Sequence, residues 1–220
     1  MWSPDKTSLT ADPTIDFGKQ KQEIWKEKWT VPFSSFERKT MNWQEVCDDP
    51  ILQNLPYKLE LNRYGEVVMN ALRMEHSFYV EKILLLLKEF LPEGYCPPEL
   101  AVETEDGVRS PDVAWISRER ALASRGALYA SVAPEICVEV MSPGNSELQM
   151  TEKRKLYFQA GAEEFWLCSE DGKMRFFTPF GELESSKRVP GFPKLIELFS
   201  EETIMNPRTH GNLSPCIPHV

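Results

Sequence analysis

The sequence predicts a mixed α/β domain, a mixed central β-sheet flanked by helices, and three observations carry that expectation. After Pro134, residues 135–141 read EICVEVM, a near-continuous β-rich run typical of a strand buried on both faces of a sheet. Two segments with helical periodicity, 75–90 and 147–160, stand on either side of that run in the chain. Two further β-rich runs, 164–168 and 174–178, are separated by the turn signal Glu170-Asp171-Gly172.

The elements follow in chain order. Residues 59–61 and 67–69 flank Arg63-Tyr64-Gly65 and read as a hairpin. The strongly apolar segment 75–90 reads as a core helix stopped by Pro92. Residues 101–103 form a short strand, Asp106-Gly107 a turn, and 112–116 another strand introduced by Pro111. Residues 117–125 look helical. The 135–141 strand ends at Ser142-Pro143-Gly144; Asn145 or Ser146 then caps the helix 147–160, which Gly161 stops. No internal repeat or low-complexity tract interrupts this pattern.

The 220 residues suit one domain with appendages. Residues 1–40 carry seven Lys/Arg against six acids, lack any strand pattern, and offer at most a short helix over 17–29 between Pro13 and Pro32, so they read as an N-terminal extension. The folded domain is expected over 41–206. Residues 207–220, with three prolines and no periodicity, read as a loose tail.

Composition excludes several classes. A hydrophobic content of 41% supports a sizeable core and excludes wholesale disorder. The longest aliphatic run is 83–87, far short of the roughly 20 apolar residues a transmembrane helix needs. The first residues, MWSPDKTSLTADP, lack the apolar stretch of a secretory signal, so a cytoplasmic location without membrane contact is expected. Five widely spaced cysteines without a C-x-x-C pair argue against a disulfide framework or a zinc knuckle, and Cys137 and Cys168 sit in apolar runs as small core residues. The formal charge of −9 argues against sequence-blind coating of DNA, so a polyanion would have to be met locally, with the help of a cation.

No H-E-x-x-H, P-loop, G-x-S-x-G or G-x-G-x-x-G pattern is present. His76, at a helix start, reads first as a capping or surface residue. Glu139 is the anomaly, because strand alternation puts it between Val138 and Val140 on one face with Cys137 and Met141. A buried carboxylate without a partner costs several kcal/mol, so Glu139 either joins an internal ion pair or serves a metal or catalytic role. Asp112, after Pro111, heads its own short strand. Lys153 has Met150, Tyr157 and Ala160 at helical spacing, which places it in an apolar stripe, while Arg154 and Lys155 point elsewhere. A lysine snorkelling past Tyr157 would explain Lys153 alone. Two carboxylates at adjacent strand ends with a lysine reaching back from the next helix suit Mg²⁺ or Mn²⁺, hard cations that also bind phosphate oxygens.

Pro111-Asp112-Val113, the run from Pro134 to Pro143, Glu152-Lys153, Tyr157, Ala160-Gly161 and Glu164-Phe165-Trp166 together resemble the Uma-two family of restriction-endonuclease-like proteins, a branch of the PD-(D/E)xK nuclease superfamily. Met41-Asn42-Trp43-Gln44-Glu45 and Leu59-Glu60-Leu61 resemble its amino-terminal pattern, so the likeness runs from about residue 41 to 200. The order and spacing make it specific: 27 residues separate Asp112 from Glu139 and 14 separate Glu139 from Lys153.

The resemblance implies a restriction-endonuclease-like core and a Mg²⁺- or Mn²⁺-dependent DNA endonuclease acting as a homodimer. In it Asp112, Glu139 and the Val140 carbonyl hold the metal, and Lys153 is a catalytic lysine moved from the sheet to the helix. The usual lysine position is occupied by Met141, and Gln149 stands where many members carry an acid. Glu75 and Glu60 are further candidates for the family's remaining acid. Arg118, Arg120, Arg125, Arg154 and Lys155 are candidates for contacts with the DNA backbone. The alternative is a catalytically silent nuclease-like module that binds DNA or a protein partner.

Overall fold

A computed structural model describes residues 40–55, 57–70 and 73–198 of the chain. The expected N-terminal extension and loose tail lie outside these residues. The described part holds two sheets. The first is built from β1 (Lys58–Leu61), β2 (Val67–Asn70), β3 (Val102–Thr104) and β4 (Gly107–Arg109), in the order β2-β1-β4-β3 and antiparallel throughout. The second contains β5 (Val113–Trp115), β6 (Ile136–Val140), β7 (Glu164–Cys168), β8 (Met174–Thr178) and β9 (Gly181–Leu183), in sequence order. Its β6 and β7 are parallel and every other neighbouring pair is antiparallel, so the sheet is mixed. The helices are α1 (Trp43–Asp48), α2 (Met74–Phe90), α3 (Arg118–Ala123) and α4 (Glu147–Gln159).

Parallel strands need a crossover, and α4 supplies it between β6 and β7. It starts where Ser146 accepts from the Gln149 N–H at 3.2 Å while the Gln149 side chain accepts from the Ser146 N–H at 2.8 Å, a reciprocal capping box. Gln149 is thereby committed to the helix end. The helix stops at Gly161, whose φ of +101° is one that a side chain disfavours. The five-stranded sheet is covered on both faces. On one, α2 inserts Tyr79, Ile83 and Leu87 against Val113, Val138, Val140, Trp166 and Phe176. On the other, Met150 and Tyr157 of α4 meet Cys137, Phe165, Leu167 and Phe177. This explains why β6 and β7 are buried at every position and read as continuous apolar runs.

The sequence-predicted strands and long helices occur within one or two residues of their expected bounds. The structure adds α1, β4 and β9, short elements of three to six residues with too few positions to establish a period. β4 is held close to β1 through Gly107, where a Cβ would lie 2.1 Å from the Leu61 carbonyl oxygen, so only a glycine lets these two strands of the first sheet approach. Among the described residues no helix is long and apolar enough to cross a membrane.

Candidate functional site

The β5–β6 register pairs Val113 with Val138 and Ala114 with Cys137. Continued by one residue it sets Asp112 opposite Glu139, on the sheet face that α4 covers. Glu139 is only 2% exposed. Its carboxylate accepts from the Tyr157 hydroxyl at 2.8 Å and from Lys153 Nζ at 3.1 and 3.2 Å. The spacing that placed Lys153 among Met150 and Tyr157 therefore points its ammonium inward at the sheet.

β1 contributes two side chains that complete the cluster. Lys58 and Glu60 are two residues apart on one strand and share a face. Lys58 Nζ lies 2.7 Å from Asp112 Oδ1, and Glu60 accepts from Lys153 Nζ at 3.0 Å and from the Ser110 N–H at 3.2 Å. The other Asp112 oxygen accepts from the Val140 N–H at 2.8 Å. The same register sets Pro111 opposite Val140; proline has no N–H, so no ladder bond from that position reaches the Val140 carbonyl.

Lys58, Asp112, Glu139 and Lys153 line one cleft of about 240 Å³, together with Met69, Arg73, His76, Ser142, Gly144 and Asn145. His76 does not cap α2, as the sequence suggested. Its Nε2 lies 3.6 Å from Asp112 Oδ1, and its buried Nδ1 has no hydrogen-bond partner. Glu75 is exposed on α2 and lines a smaller neighbouring cavity with Tyr79, Pro143 and Glu170. Of the two further acids, Glu60 is the one that joins Lys153 and Glu139.

Charge sorts the two central acids. Burial pushes the Asp112 carboxyl up, but Lys58, His76 and Lys153 outweigh it and hold the group well below the usual carboxylate range. Burial raises Glu139 as well; Lys153 and Lys58 oppose the rise, Asp112 and Glu60 add to it, and the net direction is upward. Burial alone would depress both lysines, yet the carboxylates, Glu139 foremost, raise Lys58 and Lys153 above the ordinary lysine value. Burial also raises the Tyr157 hydroxyl, which keeps it a donor to Glu139.

Other buried acids differ in kind. Glu164 accepts from Trp166 Nε1 and Ser186 Oγ, both at 2.7 Å, and from the N–H groups of Lys187 and Arg188 at 2.8 and 2.9 Å. Glu135 takes the Ser117 N–H and Arg120. These carboxylates hold loops to strand ends. Glu139 instead lines an open cleft.

Among the expected backbone-contacting cations, Arg120 is turned to internal partners. Its guanidinium donates to the carbonyls of Ala133 and Gly161 and pairs with Glu135 and Glu163, so it is spent on internal contacts. Arg118 is exposed on α3 and Arg125 lies just beyond it. That helix follows the far end of β5, roughly 16 Å from Asp112 at about 3.3 Å per residue. Arg154 stacks on Phe177 with its guanidinium carbon 4.2 Å from the ring centre, and Lys155 is exposed.

Sequence reasoning missed Lys58 and the place of His76. An alternating Lys-Leu-Glu-Leu strand carries the signature of a solvated polar face, and only the packing of the two sheets shows that this face is buried. The lone available signal was that Lys58 shares its face with Glu60.

Two sheets, helices on both faces of the mixed one, and an acid–lysine cluster where its strands end define a restriction-endonuclease-like protein. A solved structure, described as a putative nuclease belonging to DUF820 from Anabaena variabilis ATCC 29413, has this fold, with a TM-score of 0.58 at 14% identity over 72% of this chain and 95% of that one. The family model described as "Uma2: Putative restriction endonuclease" matches residues 43–199, and the chain belongs to that family. No curated protein matches. Family and fold together are those of a nuclease-like protein.

Proposed function

We propose that this chain is a divalent-metal-dependent DNA endonuclease of the PD-(D/E)xK type. The observation that carries the reading is the convergence of Asp112, Glu139 and Lys153 on one cleft, with Lys153 Nζ 3.1 Å from Glu139. Among the described residues no group of three or more His, Cys, Asp or Glu is arranged around a common metal position. Mg²⁺ does not require one, since it keeps several waters and takes one or two carboxylates. The hard-oxygen set of Asp112, Glu139 and the Val140 carbonyl fits Mg²⁺ or Mn²⁺. When bound, such a cation polarises the phosphate and acidifies a water.

The chain's own residues supply the rest. Asp112, held ionised by Lys58, contributes fixed negative charge at the cleft. Lys58 and Lys153 keep the acid cluster compact, and Lys153 would stabilise charge on the phosphate oxygens during attack. Tyr157 fixes the Glu139 carboxylate through its hydroxyl. Cutting both strands of a duplex calls for two such sites, which a homodimer provides.

The test is nicking of supercoiled plasmid with Mg²⁺ or Mn²⁺ against a chelator control. Wild type should cut, and Glu139→Gln should bind DNA without cutting. One observation favours a second reading, a nuclease-like module that binds DNA or a protein without cutting: the carboxylates already have lysine and N–H partners. Absence of metal-dependent cleavage of any DNA form would establish that reading instead.

A further inference from the structure

The β8–β9 hairpin carries Phe180, at 96% the most exposed large apolar side chain among the described residues. The turn that presents it is well defined. Thr178 Oγ1 accepts from the Phe180 N–H at 3.4 Å and donates to the Gly181 carbonyl at 3.3 Å, while Gly181 takes a φ of +137°. Beside it runs a groove of about 420 Å³, and its charged lining is three cations, Arg154, Lys155 and Arg175, against one carboxylate, Glu182. Two guanidiniums lie over the Phe177 ring that lines it, Arg154 at 4.2 Å and Arg175 at 5.0 Å from the ring centre. Arg175 is held in place by Glu182, at 2.9 and 3.0 Å.

We propose that this groove and the Phe180 tip bind single-stranded DNA, with Phe180 stacking on an unpaired base and Arg154 and Lys155 meeting the adjoining phosphates. The inference rests on the reading of the chain as DNA-directed and names the form of DNA that it engages. A lone exposed apolar residue needs no explanation. Phe180 is different because a hydrogen-bonded turn presents it between Pro179 and Gly181, which line a cationic groove, in a chain whose net charge is −9. Aromatic rings beside a track of cations are what a strand with unstacked bases requires.

A second copy of the chain fits the place poorly. The edge strand β9 has only three residues, and Glu182 on it and Glu184 just beyond would bring like charges together in an edge-to-edge pair. Position also favours DNA. Lys153, in the cleft, precedes Arg154 and Lys155 on α4, so cleft and groove lie at one level on different sides of a single helix. A helix is about 10–12 Å across with its side chains, a distance that a strand of a few nucleotides spans. One strand can therefore be gripped at the hairpin while its backbone enters the cleft.

Fluorescence anisotropy with a labelled oligothymidylate and a duplex of equal length, in a chelator so that nothing is cut, tests the proposal on the full chain. Phe180→Ala should weaken single-strand binding about tenfold, in line with the loss of one base–aromatic stack, and leave duplex binding within about twofold. Phe180→Trp should retain affinity and Phe180→Leu should not, because stacking needs a ring. Lys155→Gln should weaken binding and flatten its salt dependence.

Equal single-strand affinity of wild type and Phe180→Ala, or full affinity in Phe180→Leu, would overturn the proposal, as would absence of single-strand binding by wild type. A dimer in sedimentation that Phe180→Ala dissociates would also overturn it and assign the tip to a second copy. Plasmid nicking is scored separately. Cutting without any dependence of binding on Phe180 removes this inference and leaves the nuclease reading intact; Phe180-dependent binding without cutting does the reverse.

Discussion

Replacing Lys153 by methionine keeps the stem against Met150 and Tyr157 while deleting the charge that joins Glu60 to Glu139. Each pair is about 3 Å apart; at an effective dielectric of about 20 a contact of this length is worth about 5 kcal/mol of attraction before solvation is counted. Removing one partner of a buried pair costs about 3–5 kcal/mol, because the remaining charge stays buried. The Lys153 side chain keeps 17% of its exposure, which points to the lower end, so Lys153→Met should lose about 3 kcal/mol in chelator.

Urea unfolding followed by circular dichroism reads this as a lower midpoint at constant slope. Adding Glu139→Gln should recover about 1.5 kcal/mol or more, since the two residues are in direct contact. Mn²⁺ at a hundred times its dissociation constant should return about 2.7 kcal/mol. A loss below about 1 kcal/mol, or additivity of the two substitutions within about 0.5 kcal/mol, would refute the idea that this lysine holds the acids together.

Three further outcomes follow from the same geometry. Arg120→Ala should cost about 2–3 kcal/mol in urea unfolding by stranding Glu135 and two carbonyls, while DNA affinity stays within about twofold; a large loss of affinity with stability intact would restore it to the DNA surface. Lys58→Met should strand the Asp112 charge and destabilise by about 3 kcal/mol, and Asp112→Asn in the same chain should relieve part of that loss; thermal melts of the single and double variants decide it. Burial pushes the Cys96 and Cys168 thiols up to about 11 and about 12, and Cys137 also upward. At pH 8 all three therefore remain protonated, and iodoacetamide followed by peptide mass analysis should label them only after denaturation. Substantial labelling in the native state would contradict their burial.

Three of the four helices and most strands were legible in the sequence because their residues carry local causes. Ser146 and Gln149 close a cap within one turn, Gly161 ends the helix by its own conformational freedom, and the 136–140 run announces a strand covered on both sides. Glu139 stood out for the same reason, as a charge in an apolar run. Lys153 followed from its spacing to Met150 and Tyr157. The short elements β4 and β9 gave no such signal, and Gln149 as a departure from the family pattern gained its physical reason only when its cap was visible.

Sequence was enough for the mixed α/β class, the family likeness, and the placing of one acid in an apolar run and one lysine in an apolar stripe. Tertiary structure alone decided which charges meet. Lys58 and Glu60 lie more than 50 residues before Asp112 and nearly 80 or more before Glu139, and their strand belongs to a different sheet. Periodicity reports which face a side chain takes within its own element. It carries no information about what another element brings to that face, and the ion pairs of Lys58 and Glu60 exist only because the first sheet packs against the cleft.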